Sequence, residues 1–266
     1  MGKMVSGLSA ALRGGSAEFA TEEFVLRDGG RSIYGVMRRP VGVKGRLPAV
    51  VLSHGYGGNM GNCAPYAEIF AANGFACCAF DFRGGGANSR SSGATTEMSV
   101  LTEAEDLEAV LAHVRKLRHI DDKRVFLWGE SQGGFVSAYV AARRAEQVRG
   151  LVLFYPAFVL QDAVRERFPN PADIPETAVV MDNLIGAVYA RDLLSFDIYD
   201  AMQGYRGDVL IVHGDRDALA PLSYSERAQR VYASAELKVI PGGYHGFWDA
   251  LETPASMAVE FLKAHS

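Results

Sequence analysis

The sequence predicts an α/β fold: a mostly parallel central sheet flanked by helices, carrying a small inserted cap. Three observations lead there. Short, apolar, β-branched runs alternate with helical patterns along the chain, which implies parallel strands joined by crossover helices. Those runs are nearly continuously apolar, as strands covered on both faces are. The rhythm then fails once, over residues 158–206, a stretch far longer than an ordinary connection. With 266 residues, 48% hydrophobic and 22% charged, the chain has the apolar mass for one such unit.

Residues 1–21 contain Lys3 and a short apolar piece interrupted by Arg13, and read as a flexible leader rather than a cleaved signal. "EEFVLRDGGRSIYGVMRRP" reads as an opening hairpin, because Asp28-Gly29-Gly30 is a strong turn signal between two extended stretches. Six further strands are expected in "LPAVVLSHG", "FACCAFDF", "RVFLWGE", "VRGLVLFYPA", "DVLIVHGD" and "ELKVIPGG". Four helices lie between or after them. In "LTEAEDLEAVLAHVRKL", Leu107, Val110, Leu111, Val114 and Leu117 fall on one stripe, and Thr102 with Glu105 forms a capping-box pattern. "GFVSAYVAARRAEQ" and "SYSERAQRVYASA" follow strands, and "PASMAVEFLKAH" closes the chain with a proline at its start.

Residues 22–157 and 207–266 form the expected core, and 158–206 the cap. The cap sequence carries Pro169, Pro171 and Pro175, then the helical, amphipathic "AVYARDLLSFDIYDAM". Placed at the carboxyl edge of a parallel sheet, such an insertion would cover the region where these folds bind ligands.

A net charge of −4 gives no attraction to nucleic acid or to an anionic membrane. No apolar run reaches the roughly 18 residues of a spanning helix. Three cysteines, two of them adjacent (Cys77 and Cys78), make no disulfide framework and point to reduced thiols and a cytoplasmic setting. Neither a P-loop, nor a dinucleotide fingerprint, nor zinc-ligand spacing occurs, so no cofactor and no metal is expected. Asp81 and Arg83, in "FDFRGGGANS", are expected to pair with each other and pin a loop.

The chemistry centres on "WGESQGG". Gly129-Glu130-Ser131-Gln132-Gly133 matches G-x-S-x-G between an expected strand and an expected helix. The turn strains the serine backbone and projects its hydroxyl from the sheet edge, while the glycines remove side chains that would collide with neighbours. The Gln132 amide lies at a helix N-terminus, where it can meet a developing oxyanion. A serine needs a base held in the right tautomer. Of six histidines, His245 follows the last strand in a loop of small residues and is the expected base. His213, at a strand end, is set aside. The orienting acid is Asp215 or Asp217; Asp217 reaches further towards the histidine loop and is preferred, with Asp215 left to cap a turn. A second oxyanion donor is expected in "LSHGYGGN" at the Tyr56 amide, with His54 bracing that loop.

The motifs "HGYGGN", "GESQGG", "HGDRDALAP" and "GGYHGF", in this order, resemble the serine-nucleophile α/β-hydrolase superfamily, and within it the small bacterial cinnamoyl (feruloyl) esterases. The resemblance covers nearly the whole chain from about residue 22. It implies an α/β-hydrolase fold, a triad of Ser131, Asp217 and His245, an oxyanion hole at Tyr56 and Gln132, and hydrolysis of hydroxycinnamate or similar small aryl esters. By position it also implies that Asp162 and Tyr189 in the cap meet the phenolic end of the substrate. Two departures affect acyl specificity: Gly57 stands where a threonine is frequent, and the proline-rich segment has no clear counterpart. The expected partner is a small-molecule ester, with no nucleic acid and no membrane, and a homodimer is compatible with the family. Rival readings are a general short-chain carboxylesterase, a peptidase or acyltransferase on the same fold, and a non-catalytic binding protein, which would lack a triad member.

Overall fold

The computed structural model describes residues 18–86, 88–247 and 251–266. Most of the expected leader lies outside the described residues, and the part inside, from Phe19, already belongs to the first strand. Strands β1 (Phe19–Asp28) and β2 (Arg31–Pro40) pair antiparallel with Asp28 opposite Arg31. Gly29 and Gly30, at φ 51° and 83°, make the two-residue left-handed turn that this pairing demands.

The chain then alternates as expected: β3 (Leu47–Ser53), α1 (Met60–Ala72), β4 (Ala76–Phe80), α2 (Val100–Arg115), β5 (Ile120–Glu130), α3 (Ser131–Arg143) and β6 (Gly150–Phe154). The inserted segment contributes α4 (Leu160–Arg167), β7 (Thr177–Val180), β8 (Asn183–Gly186), α5 (Ala187–Leu194) and α6 (Ile198–Met202). Finally come β9 (Asp208–Gly214), α7 (Leu222–Val231), β10 (Ala235–Ile240) and α8 (Glu252–His265). The main sheet runs β1-β2-β4-β3-β5-β6-β9-β10, with β2 antiparallel to both its neighbours and the rest parallel.

Strand periodicity explains the apolar runs. Successive residues point to opposite faces, and both faces are covered. Val51, Cys78, Leu127, Leu153 and Ile211 enter the core shared with α2 and α3. Val50, Cys77, Phe126, Val152 and Leu210 enter the other, under α1 and α8. The adjacent cysteines thus serve different cores. β10, at the edge, departs from the expected pattern: all of it but Ile240 is half-buried or exposed.

The sequence reading missed α1. Its buried Cys63, Tyr66, Ala67 and Phe70 have helical spacing, but Pro65 sits inside the helix, where proline normally argues against one. Helix α2 begins earlier than expected, with Ser99 rather than Thr102 as its cap; Thr102 supplies the reciprocal half of the box. Helix α8 starts at Glu252, ahead of Pro254. In the cap, the long helical stretch breaks at Ser195–Asp197, where Asp197 caps α6. The β7–β8 hairpin was not foreseen.

Asp81 and Arg83 do not pair with each other. Asp81 accepts the Met60 and Arg90 amides at 2.8 and 2.7 Å. Arg83 instead binds the buried Asp106 on α2, with its guanidinium and its own amide. Both still pin the loop after β4, but to α1 and α2. Asp81 and Arg83 lie beyond the end of β4 at Phe80, and each is drawn to a different helix by these partners.

Candidate active site

Ser131 follows β5 without an intervening residue and opens α3, with φ at 52°. That left-handed backbone costs a residue with a Cβ on the order of 1–2 kcal/mol, and the surroundings enforce it. A Cβ on Gly129 would lie 2.3 Å from the Gly133 carbonyl oxygen, and one on Gly133 would lie 2.3 Å from the Ser53 carbonyl oxygen. The two glycines let β5, α3 and β3 approach this closely, and the turn has no room to relax.

The loops after β9 and β10 bring the other two groups to the same sheet edge. His245 Nε2 lies 2.9 Å from Ser131 Oγ, and its Nδ1 lies 2.7 Å from Asp217 Oδ2. A carboxylate only accepts, so Nδ1 carries the proton and Nε2 accepts from the serine hydroxyl. Asp217 is fully tied down: its Oδ1 accepts the Leu219 and Ala220 amides, both at 2.9 Å. Burial pushes the Asp217 pKa up. Hydrogen bonds from His213, His245 and the Ala220 amide outweigh burial and hold it well below the usual carboxylate range.

His213 is the residue the sequence reading set aside. It is fully buried, and its Nε2 lies 2.7 Å from the Ala220 carbonyl and 3.2 Å from Asp217 Oδ2. Two acceptors on one nitrogen fix the proton there, leaving Nδ1 to accept from Ser225 Oγ at 2.7 Å. Asp217 is therefore held between two imidazoles. The available signal was the four-residue spacing from His213 to Asp217 across a tight turn. Asp215 does not cap that turn as expected: its carboxylate accepts the Gly242 amide at 2.7 Å and ties the turn to the loop after β10.

The residues flanking Ser131 tie it to other loops. Glu130 is buried, and its carboxylate accepts the Tyr155 hydroxyl at 2.7 Å and the Gly55 amide, linking the elbow to the loop after β3. In that loop, His54 Nδ1–H donates to the Gly55 carbonyl while its Nε2 accepts the Phe82 amide. His54 therefore braces the loop. The side chain of Gln132 points the other way. Its Nε2 donates to Glu103 Oε2 at 2.9 Å, and its Oε1 accepts the Tyr189 hydroxyl at 2.6 Å. Burial pushes Glu103 up to about 8, against the Gln132 hydrogen bond. A buried line thus runs from α2, through the residue after the serine, into cap helix α5.

An open cavity of about 390 Å3 sits over Ser131. Tyr56, Leu160, Val180, Tyr189 and Leu219 wall it, together with Gly55, Gln132 and His245. The Tyr56 and Tyr189 rings meet edge to face, 5.9 Å between centroids, and Tyr56 donates its hydroxyl to the Val180 carbonyl at 3.0 Å. The structure brings Ser131, His245, Asp217, Tyr56, Gln132 and Tyr189 together. Asp162 stays apart: exposed on α4, it pairs with Arg165 at 2.9 Å and accepts the Tyr224 hydroxyl at 3.1 Å, outside the cavity wall. Its position one turn into α4 aims it at α7, because Gln161, not Asp162, faces inward to bind the Leu193 and Phe196 carbonyls. Among the described residues, no group of three or more His, Cys, Asp or Glu is placed to hold a metal ion.

Residues 46–191 match the family model described as serine aminopeptidase, S33. A monoacylglycerol lipase of Mycolicibacterium smegmatis is 29% identical over 228 residues, covering 74% of this chain and 80% of that protein. A quorum-quenching protein of Acinetobacter baumannii, AidA, is 38% identical over 89 residues, 33% of this chain and only 28% of that protein. Among solved structures, Est1E of Butyrivibrio proteoclasticus with ferulic acid bound aligns with a TM-score of 0.85 at 24% identity, over 91% of this chain and 98% of that one. At that identity the likeness is one of fold, and the fold is the α/β hydrolase.

Proposed function

The chain belongs to the S33 serine aminopeptidase family, and from that premise we propose that it is a carboxylic ester hydrolase working through a serine acyl-enzyme. The observation that carries this reading is the unbroken hydrogen-bond line from Ser131 through His245 to Asp217, opening on an apolar cavity. Ser131 Oγ bonds the ester carbonyl carbon as His245 Nε2 takes its proton. The oxyanion that forms is met by the amides of Gln132 and Tyr56. Gln132 is the second residue of α3, and a helix leaves its first four N–H groups without intrahelical partners. Asp217 stabilises the imidazolium, which passes its proton to the departing alcohol oxygen. Water then attacks the acyl-enzyme by the same route, and Ser131 regains its proton.

The acyl group is aryl or otherwise apolar, seated against Tyr56, Tyr189, Leu160 and Leu219. Hydroxycinnamates belong to this class, and the structural likeness to Est1E with ferulic acid supports them. Recognition runs through the ring, since Asp162 is engaged elsewhere. A glycerol ester is the second reading, favoured by the lipase relative. Peptide cleavage from a free amino end calls for an acid facing the substrate ammonium. Among the described residues, the only acid on the cavity wall is Glu130, whose carboxylate is already spent on Tyr155 and Gly55. Cytosolic action fits three free, buried cysteines.

The test pairs covalent labelling by a fluorophosphonate with an ester panel. Ser131→Ala should lose labelling and at least about 10^4 of p-nitrophenyl acetate turnover while staying folded. Retained turnover ends the reading. Methyl ferulate and methyl cinnamate should be cleaved within about threefold of each other, and both about tenfold faster than methyl acetate in kcat/KM. Equal rates for the acetate would remove the aryl specificity and leave a general esterase.

A further inference from the structure

Among the described residues, the four most exposed large apolar side chains are Met181 (66%), Val179 (64%), Leu219 (60%) and Tyr244 (58%). All four lie on the cap hairpin or on the loops that carry Asp217 and His245. Met181 and Leu219 also line the Ser131 cavity, so the patch reaches its mouth. Val179 pairs with Leu184 across β7–β8, and a directly opposed pair shares one face of a sheet. Their neighbours Val180 and Ile185 turn inward, against the core. Val179 and the exposed Leu184 therefore form the outer face of the hairpin.

The hairpin turn adds a second observation. Met181 and Asp182 have φ of 46° and 63°, where two-residue turns prefer Asn-Gly. A long, exposed apolar side chain is thus held in costly backbone at a solvent-facing tip. The charge pattern says what fits this face. Residues 177–186, 218–222 and 242–247 contain one Asp and no Lys or Arg. At the edge, Arg216 hydrogen-bonds Tyr244 and lies beside the exposed Asp215, so the rim has no excess of positive charge.

Against the expectation of no membrane partner, we infer that this rim docks on a neutral lipid–water interface, from which sparingly water-soluble esters enter the Ser131 cavity. The inference rests on the ester-hydrolase reading for its purpose, but docking itself is independent of turnover. Apolar burial with tyrosine at the boundary is how proteins sit on such surfaces. A net charge of −4 and the lack of Lys and Arg on these three segments give no attraction to anionic lipid, which is a different partner.

The experiment uses the full chain carrying Ser131→Ala, so that nothing is hydrolysed, and measures co-sedimentation with phosphatidylcholine vesicles. Association should occur, survive 0.5 M salt (roughly a 4 Å screening length), and weaken about tenfold in Val179→Ser/Leu184→Ser. With Ser131 restored, the double variant should cleave p-nitrophenyl acetate in solution as before. It should lose about tenfold on p-nitrophenyl laurate dispersed in neutral micelles. Four outcomes overturn the proposal: no association, association abolished by salt, equal loss on both esters, or an apolar dimer that the double variant dissolves. Vesicle binding without any esterase activity would instead sink the function and leave the docking.

Discussion

The turns at Ser131 and at Met181–Asp182 both hold residues with a Cβ at positive φ, yet they are built in opposite ways. The first is walled by backbone: Gly133 against Ser53, Gly129 against Gly133. The second stands in solvent, held by Asn183 Nδ2 on the Met181 carbonyl and by Tyr56 on Val180. Strain at the first is imposed by packing that has no alternative arrangement. Strain at the second is tolerated by a small element that could relax without disturbing the sheet. The contrast separates the part of the molecule that fixes Ser131 from the part that forms the mouth of its cavity.

Substitutions can break that contrast or sharpen it. Asp217→Asn should have the largest effect, lowering kcat by about 10^4 because the amide cannot hold the same His245 tautomer. A loss below tenfold would detach Asp217 from the line. Gly133→Ala should lower unfolding stability by about 3 kcal/mol, read from urea midpoints, since its methyl meets carbonyl oxygens that cannot move. Glu103→Gln should change the shape of the stability–pH curve. In the folded chain Glu103 keeps its proton up to about 8, against an ordinary value near 4.5. The folded state therefore binds more protons in that window, and this contribution is present at pH 4 and lost as pH rises through 8. The Gln variant should show a flatter melting-temperature profile between pH 5 and 9, and parallel profiles would discard the assignment. Asp182→Gly should raise stability by up to about 1 kcal/mol by removing left-handed strain, with kcat on a soluble ester unchanged. A drop in stability there would mean that the cap turn is as enclosed as the elbow. Asp162→Ala should do least, under twofold in kcat/KM for methyl ferulate, because its partners are Arg165 and Tyr224.

The same contrast explains what could be read in the sequence. At the elbow, sterics dictate residue type: only glycine fits at 129 and 133, so "GESQGG" announces its own geometry. The inner strands β3, β4, β6 and β9 were legible because both their faces are buried. The cap was not. Its hairpin is short, its turn begins with Met181, which is no turn former, and Gly186 is fixed by a neighbour 90 residues away: a Cβ there would meet the Thr96 carbonyl oxygen. Contacts of that separation leave no local trace. Asp162 was placed by resemblance, and a one-residue rotation along α4 puts Gln161 inside instead. His213 escaped because its role depends on a turn folding its ring back onto Asp217.

The Glu103–Gln132–Tyr189 line bears on transplanting this cap. A chimera that received residues 158–206 of another hydrolase would lose the Tyr189 phenol, leaving the Gln132 carbonyl oxygen buried with an empty bonding position. That vacancy sits one residue from Ser131. Exchange of lids among such enzymes therefore has to carry along positions 103 and 132, although neither belongs to the lid.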